Sequence, residues 1–174
     1  MKLIVLRGPS GSGKSTVARM LRDRLGSGIA LVQQDQLGRT VLGRRLTDDG
    51  ASAGLVDALT RAALAAAPAV LLEGILSTER YGDVLRGLRG LRDVESWFYR
   101  FELPFAVTAE RHTTRDKAGS FGEDELRRWW RGSDPLLEID GSPLEQPVDA
   151  AVSAEALVER IIAEAGLTAG DLPA

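Results

Sequence analysis

Leu3-Ile4-Val5-Leu6-Arg7-Gly8-Pro9-Ser10-Gly11-Ser12-Gly13-Lys14-Ser15-Thr16 is the stretch that decides the fold. Its first four residues form an unbroken apolar run, as expected of a parallel strand buried on both faces. Residues 8–15 then satisfy G-x-x-x-x-G-K-[ST] without a mismatch. Glycines let the chain bend so that successive N–H groups converge on a phosphate. A helix opening near Lys14 adds the positive end of its dipole. In this reading Gly8, Pro9, Ser10, Gly11, Ser12 and Gly13 cradle the phosphates of a nucleotide. Lys14 reaches the β- and γ-phosphates, the Ser15 hydroxyl ligates Mg²⁺, and Thr16 bonds the α-phosphate. The alternative is a glycine-rich turn with a surface lysine. Lysine is rare in this chain, with Lys2 and Lys117 the only others, which argues against a chance match.

Outward from the loop, strand and helix patterns alternate. Residues 14–25 read as a helix with Val17, Ala18, Leu21 and Leu25 on one face, ended by Gly26 and Gly28. A second apolar run covers 29–32. Residues 55–67 read as a helix with Leu55, Val56, Leu59 and Leu64 inward, stopped by Pro68. A third strand at 70–72 ends in Glu73-Gly74, and a helix is expected over 79–88. A fourth strand is expected over 97–103, with Pro104 at a helix start. Helical pattern continues to 111, a polar stretch follows to 122, and a short helix is expected over 123–131. Residues 132–147 hold three prolines and read as loop, with an edge strand near 148–152. A last helix over 154–165 buries Leu157, Val158, Ile161 and Ile162. This alternation implies an α/β fold with a mainly parallel sheet. Ligands of such sheets bind at the carboxyl ends of the strands.

A chain of 174 residues suits a single domain with a core. Residues 1–167 are expected to form it, with a lid at about 111–131 and a frayed tail over 168–174. No apolar run is long enough to span a bilayer, and residues 3–6 are too short for a signal-peptide core. A cytoplasmic protein with no membrane partner is therefore expected. The absence of cysteine excludes disulfides and thiolate chemistry, and a single histidine, His112, excludes histidine-rich metal sites. A net charge of −3 and a pI near 5.3 argue against a broad nucleic-acid surface.

A phosphate cradle alone fits GTPases, ATPase machines and kinases. Guanine-specific GTPases carry N-K-x-D, and this sequence contains no asparagine. Large ATPase machines use more chain and an apolar strand ending in Asp or Asp-Glu, whereas the third strand here ends in Glu73 alone. Small kinases need an acid near the acceptor hydroxyl, a carboxylate near Mg²⁺, and arginines over the transferring group. Asp35 follows the second strand and is the candidate general base; the alternative is an N-cap for a helix starting near Gln36. Gln34 is a weaker candidate for hydrogen bonding substrate. Glu73 is the candidate for the metal shell or the substrate, against a solvated strand end. Arg111 and Arg115 share a helix face and have the planar fork that suits phosphate, against an ordinary solvated face. Trp129 and Trp130 either pack or divide between core and pocket. Asp48 and Asp49 read as a surface turn that approaches substrate only if the loop folds inward.

The loop at 8–16, Gln33-Gln34-Asp35, Leu72-Glu73-Gly74-Ile75-Leu76 and Glu110-Arg111-His112-x-x-Arg115 together resemble small P-loop kinases. The nearest types are chloramphenicol-phosphotransferase-like, zeta-toxin-like and uridine-kinase-like proteins. The resemblance implies a nucleoside-kinase-like three-layer fold with a five-stranded, mainly parallel sheet. It implies ATP and Mg²⁺ as cofactors, Asp35 as the catalytic acid after the second strand, and Arg111 and Arg115 as lid arginines. The expected reaction is γ-phosphoryl transfer to a hydroxyl of a small molecule: a nucleoside, sugar or antibiotic. The protein is expected to act as a monomer or homodimer. Two other readings stay open: a nucleotide-binding regulatory ATPase without an acceptor, and a nucleic-acid end kinase.

Overall fold

The apolar run that opens the chain becomes the central strand of a parallel sheet. The computed structural model describes residues 1–43, 51–104, 134–149 and 151–168. Among them are β1 (Lys2–Arg7), β2 (Ile29–Gln33), β3 (Ala69–Gly74), β4 (Glu95–Phe101) and β5 (Gln146–Val148), in the spatial order β2-β3-β1-β4-β5. Every pairing is parallel. The helices are α1 (Lys14–Leu25), α2 (Gln34–Val41), α3 (Ala51–Ala66), α4 (Thr78–Arg89) and α5 (Ala154–Ala165). Successive β1 side chains point to opposite faces. Ile4 and Leu6 join Val17, Leu21, Leu157 and Ile161, so α1 and α5 cover one face. Leu3 and Val5 join Val56, Leu64, Leu85 and Leu88, so α3 and α4 cover the other. The result is the three-layer fold expected from the sequence.

Some boundaries differ from the sequence reading. α2 begins at Gln34, two residues before the expected start, with extended Gln33 as its N-cap. β4 runs over Glu95–Phe101 rather than 97–103, and β5 lies at Gln146–Val148 rather than 148–152. In α3 the inward stripe is Ser52, Val56, Thr60 and Leu64, spaced four apart, while Leu59 is 37% exposed. Thr60 is tolerated there because its hydroxyl donates to the Val56 carbonyl at 2.7 Å. α5 is capped at both ends. Ser153 Oγ accepts from the Ala156 N–H, and Lys2 Nζ donates to the carbonyls of Ala165 and Gly166 at 2.6 and 2.7 Å.

Candidate active site

The phosphate-binding loop leaves β1 and enters α1 through three glycines at positive φ: Gly8, Gly11 and Gly13 (140°, 86° and 99°). Gly13 is the N-cap of α1. It brings no side-chain cap, and the first turn of α1 holds no acid. The other helices with described termini differ: Asp35, Glu79 and Glu155 occupy the first turns of α2, α4 and α5. Among the described residues, the N–H groups of Gly13 and Ser15 have no main-chain acceptor. The N-terminus of α1 therefore presents its dipole and N–H groups to an external anion. Lys14 is only 6% exposed. Its ammonium curls over the loop, donating to the Pro9 carbonyl at 2.7 Å and to Ser12 Oγ at 3.1 Å. Burial together with these two bonds sets Lys14 apart from a lysine extended into solvent.

Glu73 is 5% exposed, so it is not a solvated strand end. The register places it opposite Leu6 of β1 and Gln33 of β2. Its Oε1 accepts two hydrogen bonds, from Ser15 Oγ at 3.1 Å and from Gln33 Nε2 at 2.9 Å. The structure thus brings together the two residues expected to serve the metal. A serine hydroxyl that donates its proton to a carboxylate keeps its lone pairs for a cation. Hydroxyl and carboxylate oxygens are the hard donors that Mg²⁺ takes, so these residues fit that ion. Among the described residues Glu73 makes no ion pair.

The turn after β3 is clamped from two sides. Gln34 Oε1 accepts from the N–H groups of Ile75 (2.8 Å) and Leu76 (3.3 Å), while its Nε2 donates to Tyr81 Oη at 2.8 Å. Gln34 is thereby engaged in the fold through its carbonyl oxygen and one of its two amide protons. Leu76 has a positive φ of 45° and is fully buried, a conformation that costs a leucine about 1–2 kcal/mol. From the other side, Gly8 N–H donates to the Ile75 carbonyl at 3.4 Å and Arg7 Nη1 donates to the Leu76 carbonyl at 3.2 Å. The turn that carries Glu73 is therefore bonded directly to the base of the phosphate loop.

Arg7 was not legible as a site residue. It is 1% exposed and forms ion pairs with Glu145 at 2.9 Å and Asp134 at 3.2 Å. Glu145 also faces Arg100, the register partner of Arg7 on β4, at 2.9 Å. Asp134 in turn accepts from the Thr78 N–H at 3.0 Å and from the Thr78 hydroxyl, at the start of α4. Burial pulls the Arg7 guanidinium below its ordinary pKa against the pull of Glu145 and Asp134. Burial likewise pushes the Glu145 carboxyl up. An arginine closing a wholly apolar run was the one available sign, because such a position is buried and its charge must be paired.

Asp35 lies in the first turn of α2, immediately after the two glutamines that touch the β3 edge. Its side chain is 58% exposed and pairs with Arg39, one turn on, at 3.2 Å. It is not the N-cap. Arg111, Arg115, His112, Trp129, Trp130, Asp48 and Asp49 lie outside the described residues.

Residues 3–132 match the family model described as AAA domain. No curated protein matches the chain. Several solved structures share its fold. A sugar kinase from Janibacter sp. HTCC2649 superposes with a TM-score of 0.67 at 22% identity, over 100% of this chain and 99% of that one. A gluconokinase from Sinorhizobium meliloti 1021 gives 0.64 at 23%, over 98% and 94%. The APS kinase of Mycobacterium tuberculosis, in complex with AMPPNP and APS, gives 0.64 at 17%, over 93% and 95%. No helix among the described residues is long and apolar enough to cross a membrane.

Proposed function

The chain belongs to the AAA domain family, whose model spans residues 3–132, and from that premise we propose that it is an ATP-dependent kinase of a small molecule. The γ-phosphoryl group passes to a hydroxyl of the acceptor, a nucleoside, sugar or antibiotic. One observation carries the reading: the Ser15–Glu73 hydrogen bond, 3.1 Å long, stands at the uncapped N-terminus of α1. Gly8 to Gly13 and Lys14 hold the phosphates. Ser15 and Glu73 hold Mg²⁺, which when bound neutralises charge on the β- and γ-phosphates. The structural neighbours support the reading by being small kinases of comparable length.

Asp35 is assigned the acceptor hydroxyl. Its pairing with Arg39 is an exposed one four residues apart on a helix, worth roughly 0.3–0.5 kcal/mol. Arg111 and Arg115 are assigned to the transferring phosphoryl group on spacing and chemistry alone. The test is a thermal-shift screen of nucleosides, sugars and antibiotics with a non-hydrolysable ATP analogue, because ligands of the folded state raise its melting temperature. Transfer to the hit is then measured in the parent and in Asp35→Ala. Retained nucleotide binding with lost transfer supports the assignment; intact transfer in Asp35→Ala removes Asp35 from the role.

A further inference from the structure

Glu73 is a nearly buried carboxylate held by two neutral donors and by no cation among the described residues. Such a group is costly unless its charge is answered. The donors answer it only in part, since a hydroxyl and an amide stabilise an anion without cancelling its charge. Both reach the same oxygen, Oε1. Ser15 comes from the phosphate loop. Gln33 comes from the last position of β2, where the parallel register sets it opposite Glu73.

We infer that Gln33 is a positioning residue for the metal, acting through Glu73. This rests on the functional reading above. The terminal torsion of a glutamate is broad and roughly two-fold, so burial alone does not fix the plane of the carboxylate in front of Ser15. The Gln33 amide, its Nε2 2.9 Å from Oε1, fixes that plane. With Oε1 fixed, the Ser15 proton has one acceptor, and the hydroxyl lone pairs are turned to the cation. A neutral donor at position 33 also leaves the full negative charge of Glu73 to attract that cation. Lysine or arginine there would orient the carboxylate equally well and cancel its charge. Partners of this indirect kind commonly change metal affinity by about 10–100-fold when removed.

The experiment measures the affinity of a fluorescent ATP analogue for the full chain in EDTA and in saturating Mg²⁺. The readout is the ratio of the two Kd values, which a purely structural role does not move. Gln33→Leu and Gln33→Met remove the donor at a half-buried position. Each should keep the Kd in EDTA within about twofold and cut the Mg²⁺ enhancement by about tenfold. Gln33→Lys should lose the enhancement as well, despite keeping a donor. An unchanged enhancement in the Leu and Met variants overturns the inference. So does an equal loss of affinity in EDTA, which would make Gln33 a contact to nucleotide or to the fold. A parent protein whose nucleotide affinity ignores Mg²⁺ overturns the functional reading itself, and this inference with it.

Discussion

Replacing Gly74 by alanine adds one carbon where the structure has no room for it. A Cβ at this position would overlap Gln34 Oε1 and come within 2.6 Å of Gln34 Cβ. The amide end can swing away, but the Cβ is tied to α2, so helix or strand must shift. Swinging the amide also breaks its bonds to the Ile75 and Leu76 N–H groups and to Tyr81. Leaving two part-buried N–H groups unsatisfied costs about 1–3 kcal/mol each. Against this, Gly→Ala in compatible backbone stabilises by about 0.4–1 kcal/mol through the unfolded chain. The net expectation is a loss of about 2–5 kcal/mol. At about 2–4 °C per kcal/mol for a domain of this size, the melting temperature falls by roughly 5–15 °C. Urea unfolding followed by tryptophan fluorescence gives the energy directly. A double-mutant cycle isolates the cause. In a Gln34→Gly background the collision is gone, so Gly74→Ala should there be neutral or stabilising. A Gly74→Ala protein as stable as the parent, or an equal loss in both backgrounds, refutes the clamp.

Two further outcomes follow from the buried charges and the buried phenol. Arg7→Met strands Glu145 and Asp134 without their shared guanidinium, so it should destabilise by about 3–5 kcal/mol in the same urea assay; a loss under about 1 kcal/mol would show the network to be incidental. Burial and a hydrogen bond to Glu164 raise the Tyr99 phenol above its ordinary pKa. Its contribution is therefore fully present below about pH 10, where the unfolded tyrosine ionises, and is lost as pH rises above that. Tyr99→Phe should lose stability less steeply than the parent between about pH 10 and 11; parallel slopes would contradict the raised value.

What the sequence disclosed depended on how local the determining contacts were. α1 was read to the residue because glycines bracket it at Gly13 and Gly26. The start of α2 was missed because its N-cap, Gln33, makes no side-chain cap bond and gives no capping signal. The α3 stripe was misread because Ser52 and Thr60 are polar yet buried, and a hydrophobic period cannot see a threonine whose hydroxyl is bonded one turn back. Glu73 was legible as the acid ending an apolar strand, but its burial and its pairing with Ser15 across 58 residues were not. Arg7 lay furthest from view. Its partners Asp134 and Glu145 stand 127 and 138 residues away, and no local pattern joins them. Gln34 shows the converse: the sequence offers it as a weaker candidate for substrate, and nothing local announces the turn that its amide holds.

The central claim is that the loop from Gly8 to Ser15 holds the phosphates of ATP with Mg²⁺. Isothermal titration of a non-hydrolysable ATP analogue with Mg²⁺ into the parent and into Lys14→Ala tests it most directly. The Lys14 ammonium donates to the Pro9 carbonyl and to Ser12 Oγ of the same loop, and a melting curve of each ligand-free protein checks that the variant is folded under the titration conditions. The account predicts saturable one-to-one binding to the parent and a loss of about tenfold or more in Lys14→Ala, the size expected of a charge-assisted contact. Equal affinity in the two proteins would contradict it.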